Sequence, residues 1–293
     1  MTEPVDLADD FEASYRALHG DGGLAPVDRD LVSVIGPQAT EFLQGQLSQD
    51  VAAILSGTSQ CSFLLQPTGK VDAWFRVGPV TDGYAIDVAG GFGEVVKARL
   101  ERFKLRTKVD IGLINTTWTH RAVRAGRQSG AGTDILHPAV EGLEYVEPDD
   151  LPRVDAAAYE AVRIECGVPK MGAELTENTI PAEAGQWVID QSVSFAKGCF
   201  TGQELVARID SRGGNVPRHL RGLVIDGEAP PVGATVVVDG ADVGAISSVG
   251  RSLERGGPVA LGYVARKVEP PADVLVTWEG GQAAARVEVL PLV

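Results

Sequence analysis

Leu31-Val32-Ser33-Val34-Ile35-Gly36-Pro37 is the stretch on which the fold turns. Its short, almost unbroken apolar run has the length and β-branched content of a buried strand. Gly36-Pro37 stops it, and Pro37 suits the first turn of a helix that follows. Phe42, Leu43 and Leu47 fall on one face of that helix. Further on, Cys61 to Leu65, Val71 to Val77 and Tyr84 to Val88 read as strands. They are separated by Pro67-Thr68-Gly69-Lys70 and Thr81-Asp82-Gly83, which is hairpin punctuation. Val95, Val96, Arg99, Leu100 and Phe103 have helical spacing, so Gly93 to Leu105 is a second helix. A β-α-β-β-β-α order with tight hairpins implies an antiparallel α+β fold, not a doubly wound one. Upstream, a polar, Gly-punctuated segment carries a short helix over Phe11 to Leu18.

Downstream, the Gly- and Ser-rich stretch Gly126 to Gly132 reads as a loop. Asp155 can cap a helix bearing Tyr159, Val162, Arg163 and Cys166, which Gly167 ends with Pro169 beyond. A further helix is expected from Thr201 to about Asp210, and Ser211-Arg212-Gly213-Gly214-Asn215 breaks the chain. After Pro217 the pattern changes to short β-rich runs: Leu220 to Ile225, Thr235 to Val238, Val243 to Val249, Val259 to Val264, Val274 to Trp278 and Ala285 to Leu290. Gly or Pro separates them, as in a small β-barrel. The expected organisation is therefore an α+β region over residues 1–215 and a C-terminal barrel over 216–293.

The 293 residues suit about two domains, and 44% hydrophobic against 23% charged residues is globular composition. No apolar run approaches the roughly 20 residues of a membrane span, and the acidic start Met1-Thr2-Glu3-Pro4-Val5-Asp6 is not a secretory signal. A net charge of −14 opposes direct binding to nucleic acid or anionic lipid. Three dispersed cysteines, with no C-x-x-C, give no disulfide framework and fit a reduced, cytoplasmic protein. The four histidines contain no H-x-x-x-H, so no metal site is expected.

The chemistry concentrates in Lys197-Gly198-Cys199-Phe200-Thr201-Gly202-Gln203-Glu204. Thr201-x-x-Glu204 is a capping-box pattern, which by itself accounts for those two residues. Cys199 stands before a helix start and two residues after Lys197. Both a helix N-terminus and an ammonium favour a thiolate, and glycines on either side leave space. Cys199 is thus read either as a working thiol or as an inert core cysteine. Cys61, in a strand, and Cys166, on a helix face, read as core.

This octapeptide closely resembles the signature of the YgfZ-type folate-binding proteins of iron–sulfur cluster maintenance, in the superfamily of the glycine-cleavage aminomethyltransferase (T-protein). Phe42-Leu43-Gln44-Gly45-Gln46-Leu47-Ser48-Gln49-Asp50-Val51, Arg163-Ile164-Glu165-Cys166-Gly167-Val168-Pro169 and Ile180-Pro181-Ala182-Glu183 resemble other segments of that family. The resemblance implies a cloverleaf of intertwined α+β subdomains plus a small barrel, around a hole that binds tetrahydrofolate or its formyl or methylene derivative. Carried onto this chain, Cys199 and Lys197 are the motif pair, completed by Gln203 and Glu204. Tyr159 is implied to stack on the folate, Arg163 and Glu165 to be polar wall residues, and Glu183 to grip the guanidine-like edge of a pterin. The implied partners are the folate itself and iron–sulfur enzymes or cluster carriers.

Three functions remain open on the sequence: a folate-binding accessory protein for assembly or repair of iron–sulfur enzymes, a folate-dependent aminomethyltransferase, and a folate-binding module acting indirectly on tRNA modification. Aminomethyltransferases resemble this chain around Gly69-Lys70-Val71-Asp72-Ala73 but carry an aspartate where the alignment of glycines puts Ala73. Asp72 stands one residue early, which in a strand turns it to the other face. Two basic clusters stand out in this acidic chain: Lys97, Arg99, Arg102, Lys104, Arg106 and Lys108; and Arg208, Arg212, Arg218 and Arg221. The first reads as a solvated helix face, as a seat for the anionic glutamate tail of a folate, or as a partner or RNA contact, and the second favours an anion near the cysteine.

Overall fold

A computed structural model describes residues 6–118, 121–125, 133–135 and 151–292. In chain order the elements are β1 (Asp6–Leu7), α1 (Phe11–His19), β2 (Gly23–Ala25), β3 (Arg29–Ile35), α2 (Ala39–Gln46), β4 (Gln60–Leu65), β5 (Val71–Val80), β6 (Gly83–Ala89), α3 (Gly93–Lys104), β7 (Asp110–Trp118), β8 (Arg121–Ala125), β9 (Thr133–Ile135), β10 (Arg153–Val154), α4 (Ala156–Cys166), α5 (Gln186–Ser192) and α6 (Gln203–Asp210). Six more strands follow: β11 (Arg218–Asp226), β12 (Thr235–Val238), β13 (Ala241–Ser252), β14 (Gly257–Ala265), β15 (Ala272–Trp278) and β16 (Gly281–Glu288).

The strand that opens the sequence reading, β3, lies inside a five-stranded antiparallel sheet of order β4-β5-β6-β3-β7. Four consecutive residues, Leu31 to Val34, are buried: Val32 and Val34 enter the main core, while Leu31 packs with Ala85 in a smaller cluster on the sheet. The hairpin β5–β6 turns at Asp82, at φ 61°. A second sheet, β1-β10-β2-β8-β9, joins strands from both ends of the α+β region, so the subdomains interlock. Its β1–β10 and β10–β2 pairs are parallel, in a region whose other strand pairs are antiparallel among the described residues. α1 and α4 pack together beside it, with Tyr15, Leu18, Ala158 and Val162 in their shared core.

Asp155 caps α4 as expected, accepting from the Ala158 amide at 2.9 Å, and Gly167 ends it at φ +72°. Pro37, by contrast, lies outside α2, which starts at Ala39 after Gln38. The stretch Gly126 to Gly132 lies outside the described residues.

β11 to β16 close into a barrel of order β11-β14-β13-β12-β15-β16. Its core alternates, as in β16, where Ala283, Ala285 and Val287 point inward. The sequence missed Gly281 to Ala284 of this strand, since Gly-Gln-Ala-Ala has little β-propensity; pairing with β15 overrides that weakness. The barrel seats on α4 at Gly250, where a Cβ would come within 3.1 Å of the Ala161 Cα.

A candidate ligand cavity and the thiol loop

A cavity of about 910 Å³ opens between the central sheet, α4 and α5. Strand alternation builds its sheet wall. Val71, Ala73, Phe75 and Val77 of β5 are buried, while Trp74 and Arg76 turn half-buried side chains to the cavity. Trp74 is fixed by Nε1 donating to Ser192 Oγ at 2.9 Å, and it meets Trp187 edge-on at 6.4 Å between ring centres. Arg76 donates Nε to Ser59 Oγ at 3.1 Å, Nη2 to the Ser59 carbonyl at 3.3 Å, and Nη1 to Cys61 Sγ at 3.6 Å. Arg29, also in the wall, is held by Asp87 at 2.7 Å. Cys61 faces this wall, and burial pushes its thiol pKa up although Arg76 and Arg29 oppose the shift.

The helical wall comes from α4. Tyr159, Glu160 and Arg163 share one face and line the cavity. Arg163 is buried: Nε and Nη2 donate to Glu160 at 3.0 and 2.6 Å, Nη1 to Glu174 Oε2 at 3.2 Å, and Nη2 to Ser248 Oγ at 2.6 Å. This network bolts α4 to the barrel. Burial raises the Glu160 pKa, but the hydrogen bond and charge of Arg163, with Lys170, outweigh it and keep Glu160 an acceptor.

The other expected wall residues stand elsewhere. Glu165 is about 120° round the helix from Tyr159, at roughly 100° per residue. It is fully buried and accepts from Tyr15 Oη at 2.5 Å, with His19 Nε2 at 3.1 Å. Burial and this carboxylate push the Tyr15 pKa up. Glu183, in a single 3₁₀ turn over Pro181–Ala184, takes Arg218 on both oxygens at 3.2 Å and the Ile180 amide at 3.2 Å. Thus Tyr159 and Arg163 stand together in the cavity wall, whereas Glu165, Glu183 and the octapeptide do not line it.

Lys197 to Gly202 of the octapeptide form a loop against the end of α2, and Gln203 and Glu204 open α6. Cys199 is exposed, whereas Cys61 and Cys166 are buried. Nothing lies within 4 Å of a Cβ placed on Gly198. The capping box does not form: α6 begins at Gln203, behind Gly202 at φ +81°, with no side-chain cap. Thr201 instead donates its amide to the Gly45 carbonyl at 3.1 Å, and Glu204 pairs with Arg208 at the surface. Gln203 Oε1 accepts the Phe200 amide at 3.2 Å. Cys199 thereby stands four residues ahead of the first residue of the helix.

Lys197 is held by backbone carbonyls. Its Nζ donates to the carbonyls of Gln44, Leu47 and Gln49 at 2.8, 2.6 and 2.9 Å. Burial lowers its pKa to about 8, with Asp50 pulling the other way. Of the basic clusters, Arg99 holds Asp72 at 3.0 Å, Lys104 meets Glu101 at 3.7 Å, and Arg208 and Arg218 pair with Glu204 and Glu183.

Asp72 has no cross-strand partner, because the β4–β5 register slips from Leu64↔Ala73 to Leu65↔Val71. Ala73 is fully buried. Sequence reasoning missed Trp74, Arg76, Glu160 and Trp187. A signal for the first two was present, since Trp74 and Arg76 alternate with the apolar residues of the strand read over Val71 to Val77. Among the described residues, no cluster of three or more His, Cys, Asp and Glu could hold a metal ion, and no helix is long and apolar enough to cross a membrane.

Residues 218–293 match the family described as the glycine cleavage T-protein C-terminal barrel domain. The chain is 26% identical over 301 residues to an iron–sulfur cluster assembly factor IBA57 homolog, mitochondrial, of Chaetomium globosum, covering 88% of this chain and 66% of the relative. It is 26% identical over 220 residues to the tRNA-modifying protein YgfZ of Pectobacterium atrosepticum, covering 64% of this chain and 66% of that protein. The chain thus spans about two thirds of the length of these relatives. The crystal structure of the glycine cleavage system aminomethyltransferase T from Bartonella henselae superposes with a TM-score of 0.73 at 19% identity, covering 99% of this chain and 91% of that one.

Proposed function

For this chain, a T-protein-like protein of the YgfZ and IBA57 type, we propose a role in the assembly or repair of iron–sulfur enzymes, with a reduced folate bound in the cavity and Cys199 as the working thiol. The names of its relatives support the iron–sulfur role; the tRNA-modifying name fits an indirect effect through such enzymes. The observation that carries the folate reading is the cavity wall itself. At about 910 Å³ it lies within the roughly 300–1,000 Å³ usual for small-molecule sites. Trp74, Trp187 and Tyr159 offer aromatic faces for a flat heterocycle. The Glu160 carboxylate can accept from a guanidine-like edge, and Arg76 can meet a carboxylate tail.

Aminomethyl transfer is the weaker reading. The position where that chemistry carries an aspartate is the buried Ala73, and the neighbouring Asp72 is turned to Arg99. The client enzymes supply the iron–sulfur chemistry; this chain's residues bind the folate and present the thiol. Location remains with the relatives: the IBA57 homologs are named mitochondrial, and a bacterial YgfZ relative fits the cytoplasm.

Calorimetry with 5-formyltetrahydrofolate tests the folate reading. Binding should be detected, and Tyr159→Ala and Trp74→Ala should each weaken it about tenfold, as loss of one stacking contact of roughly 1.4 kcal/mol would. No heat at high micromolar ligand would overturn it. In cells lacking the native protein, Cys199→Ala should fail to support iron–sulfur enzymes; full support would leave the thiol without a role.

A further inference from the structure

Between the cavity and the thiol loop runs one short segment, Leu47-Ser48-Gln49, held from both sides. On the thiol side, Lys197 donates all three of its protons to Gln44, Leu47 and Gln49 carbonyls, within 2.6–2.9 Å. The amide of Ser194 donates to the Ser48 carbonyl at 3.0 Å, and that of Thr201 to Gly45 at 3.1 Å. The loop carrying Cys199 is therefore stitched to this segment and to the end of α2.

On the cavity side, Ser48 Oγ donates to the Ser192 carbonyl at 2.6 Å, and Ser192 Oγ accepts from the cavity-facing Trp74 at 2.9 Å. Gln49 Nε2 donates to the carbonyls of Gln191 and Cys61 at 3.0 and 3.3 Å, and both residues line the cavity. Ser48, Ser62 and Ser192 are fully buried and hydrogen-bonded, so the segment cannot shift without breaking bonds in a water-free setting.

We infer that Leu47-Ser48-Gln49 couples the cavity to the thiol: a ligand that fixes Trp74 and Gln191 also fixes the Cys199 loop, and Lys197 is the positioning residue that carries the effect. The inference rests on the folate reading for the ligand, but the anchoring by Lys197 stands on its own geometry. The two states are a clasped loop, with the ammonium on its three carbonyls, and an open loop with ammonium and carbonyls in water. The open state loses the Ser194 and Thr201 amide bonds. A ligand that binds better when Trp74 and Ser192 are fixed favours the clasped state, and by linkage a clasped loop favours the ligand by the same factor.

Amide hydrogen exchange at Ser194 and Thr201, with and without 5-formyltetrahydrofolate, tests the coupling, with calorimetry run in parallel on the full chain. Saturating ligand should slow exchange at both amides by about fivefold or more, the lower bound of ordinary allosteric coupling. Lys197→Met, which keeps the aliphatic stem, should speed exchange there without ligand, remove the ligand effect and weaken binding by the same factor. Ser48→Ala should remove the ligand effect from the other side, while Lys197→Arg should retain part of it. Unchanged barrel amides would show that the variants are folded. Ligand binding with unaltered exchange, or Lys197→Met with native affinity, overturns the coupling. If the ligand does not bind, the folate reading and the coupling fall together, and unaltered exchange in unliganded Lys197→Met would overturn the anchor as well.

Discussion

Gly202 packs directly against Gly69: a Cβ on Gly202 would stand 3.3 Å from the Gly69 Cα. The same Cβ would meet the Gln66 carbonyl at 2.5 Å and Leu65 Cβ at 2.7 Å, and the residue sits at φ +81°. Both the backbone conformation and the space exclude a side chain. The glycine inside the cysteine motif thus seats α6 on the β4–β5 turn and does not open room for a reagent. Gly202→Ala should lose about 2–4 kcal/mol in urea unfolding, from backbone strain of roughly 1–3 kcal/mol plus crowding. Gly198→Ala, with nothing within 4 Å of its Cβ, should unfold within about 0.5 kcal/mol of wild type.

How much of this was legible follows from the reach of each signal. Periodicities and turns are local, so β3, the β4 to β6 hairpins, α3, α4 and the barrel strands could be read from the sequence. The capped start of α4 was legible because Asp155 and Ala158 are three residues apart. Thr201 and Glu204 have the same spacing, yet Thr201 is drawn away by the Gly45 carbonyl, far off in sequence. The site behaved likewise. Cys199 stood out through a motif, but the partners of Lys197 are carbonyls of any residue type and leave no trace in composition. The roles of Glu165 and Glu183 depended on which face of an element meets which neighbour, a tertiary fact.

Arg218 grips Glu183 with two nitrogens and stacks its guanidinium 4.3 Å above the Tyr263 ring, tying the Pro181–Ala184 turn to the barrel. Arg218→Ala leaves a carboxylate that is 3% exposed without its cation. The cost should be about 2 kcal/mol, below the roughly 3–5 kcal/mol of a fully buried pair, because the Arg218 side chain keeps 40% exposure and is screened. Glu183→Gln should lower stability too, while 5-formyltetrahydrofolate affinity stays within about twofold. A tenfold loss of affinity in Glu183→Gln with little loss of stability would place Glu183 at the ligand instead.

Lys197 makes stability depend on pH in a window set by its own shift. Burial lowers its pKa from 10.5 to about 8 in the folded chain. Between those values the unfolded lysine holds a proton that the folded one has released, so stability from this group rises with pH. Below about pH 8 both states are protonated and the contribution is flat. Urea titrations of wild type and Lys197→Met should therefore show their stability difference moving in favour of wild type from pH 8 to 10.5, by up to about 1 kcal/mol per unit. A difference that is constant over this range would mean that Lys197 titrates normally.

Cys199 is set apart from the other thiols by its exposure. Its loop is open at Gly198, and the ammonium of Lys197 is directed to carbonyls. Cys166 is fully buried; Cys61 keeps 8% exposure and a raised pKa. Each can react only as fast as local opening allows, and Cys61 is slowed further by its raised pKa. Iodoacetamide at pH 7.5 should therefore modify Cys199 first, by about a hundredfold or more in rate, with Cys61 and Cys166 following only in urea. Because the side chain is exposed, Cys199→Ala should unfold within about 0.5 kcal/mol of wild type, which separates loss of function in cells from loss of fold. Lys197→Met should alter the alkylation rate through loop placement, without moving the curve of rate against pH to higher values. If the curve instead moves to higher pH in Lys197→Met, the ammonium acts on the thiol through charge, and the loop holds its lysine closer to Cys199 in solution than the carbonyl clasp allows.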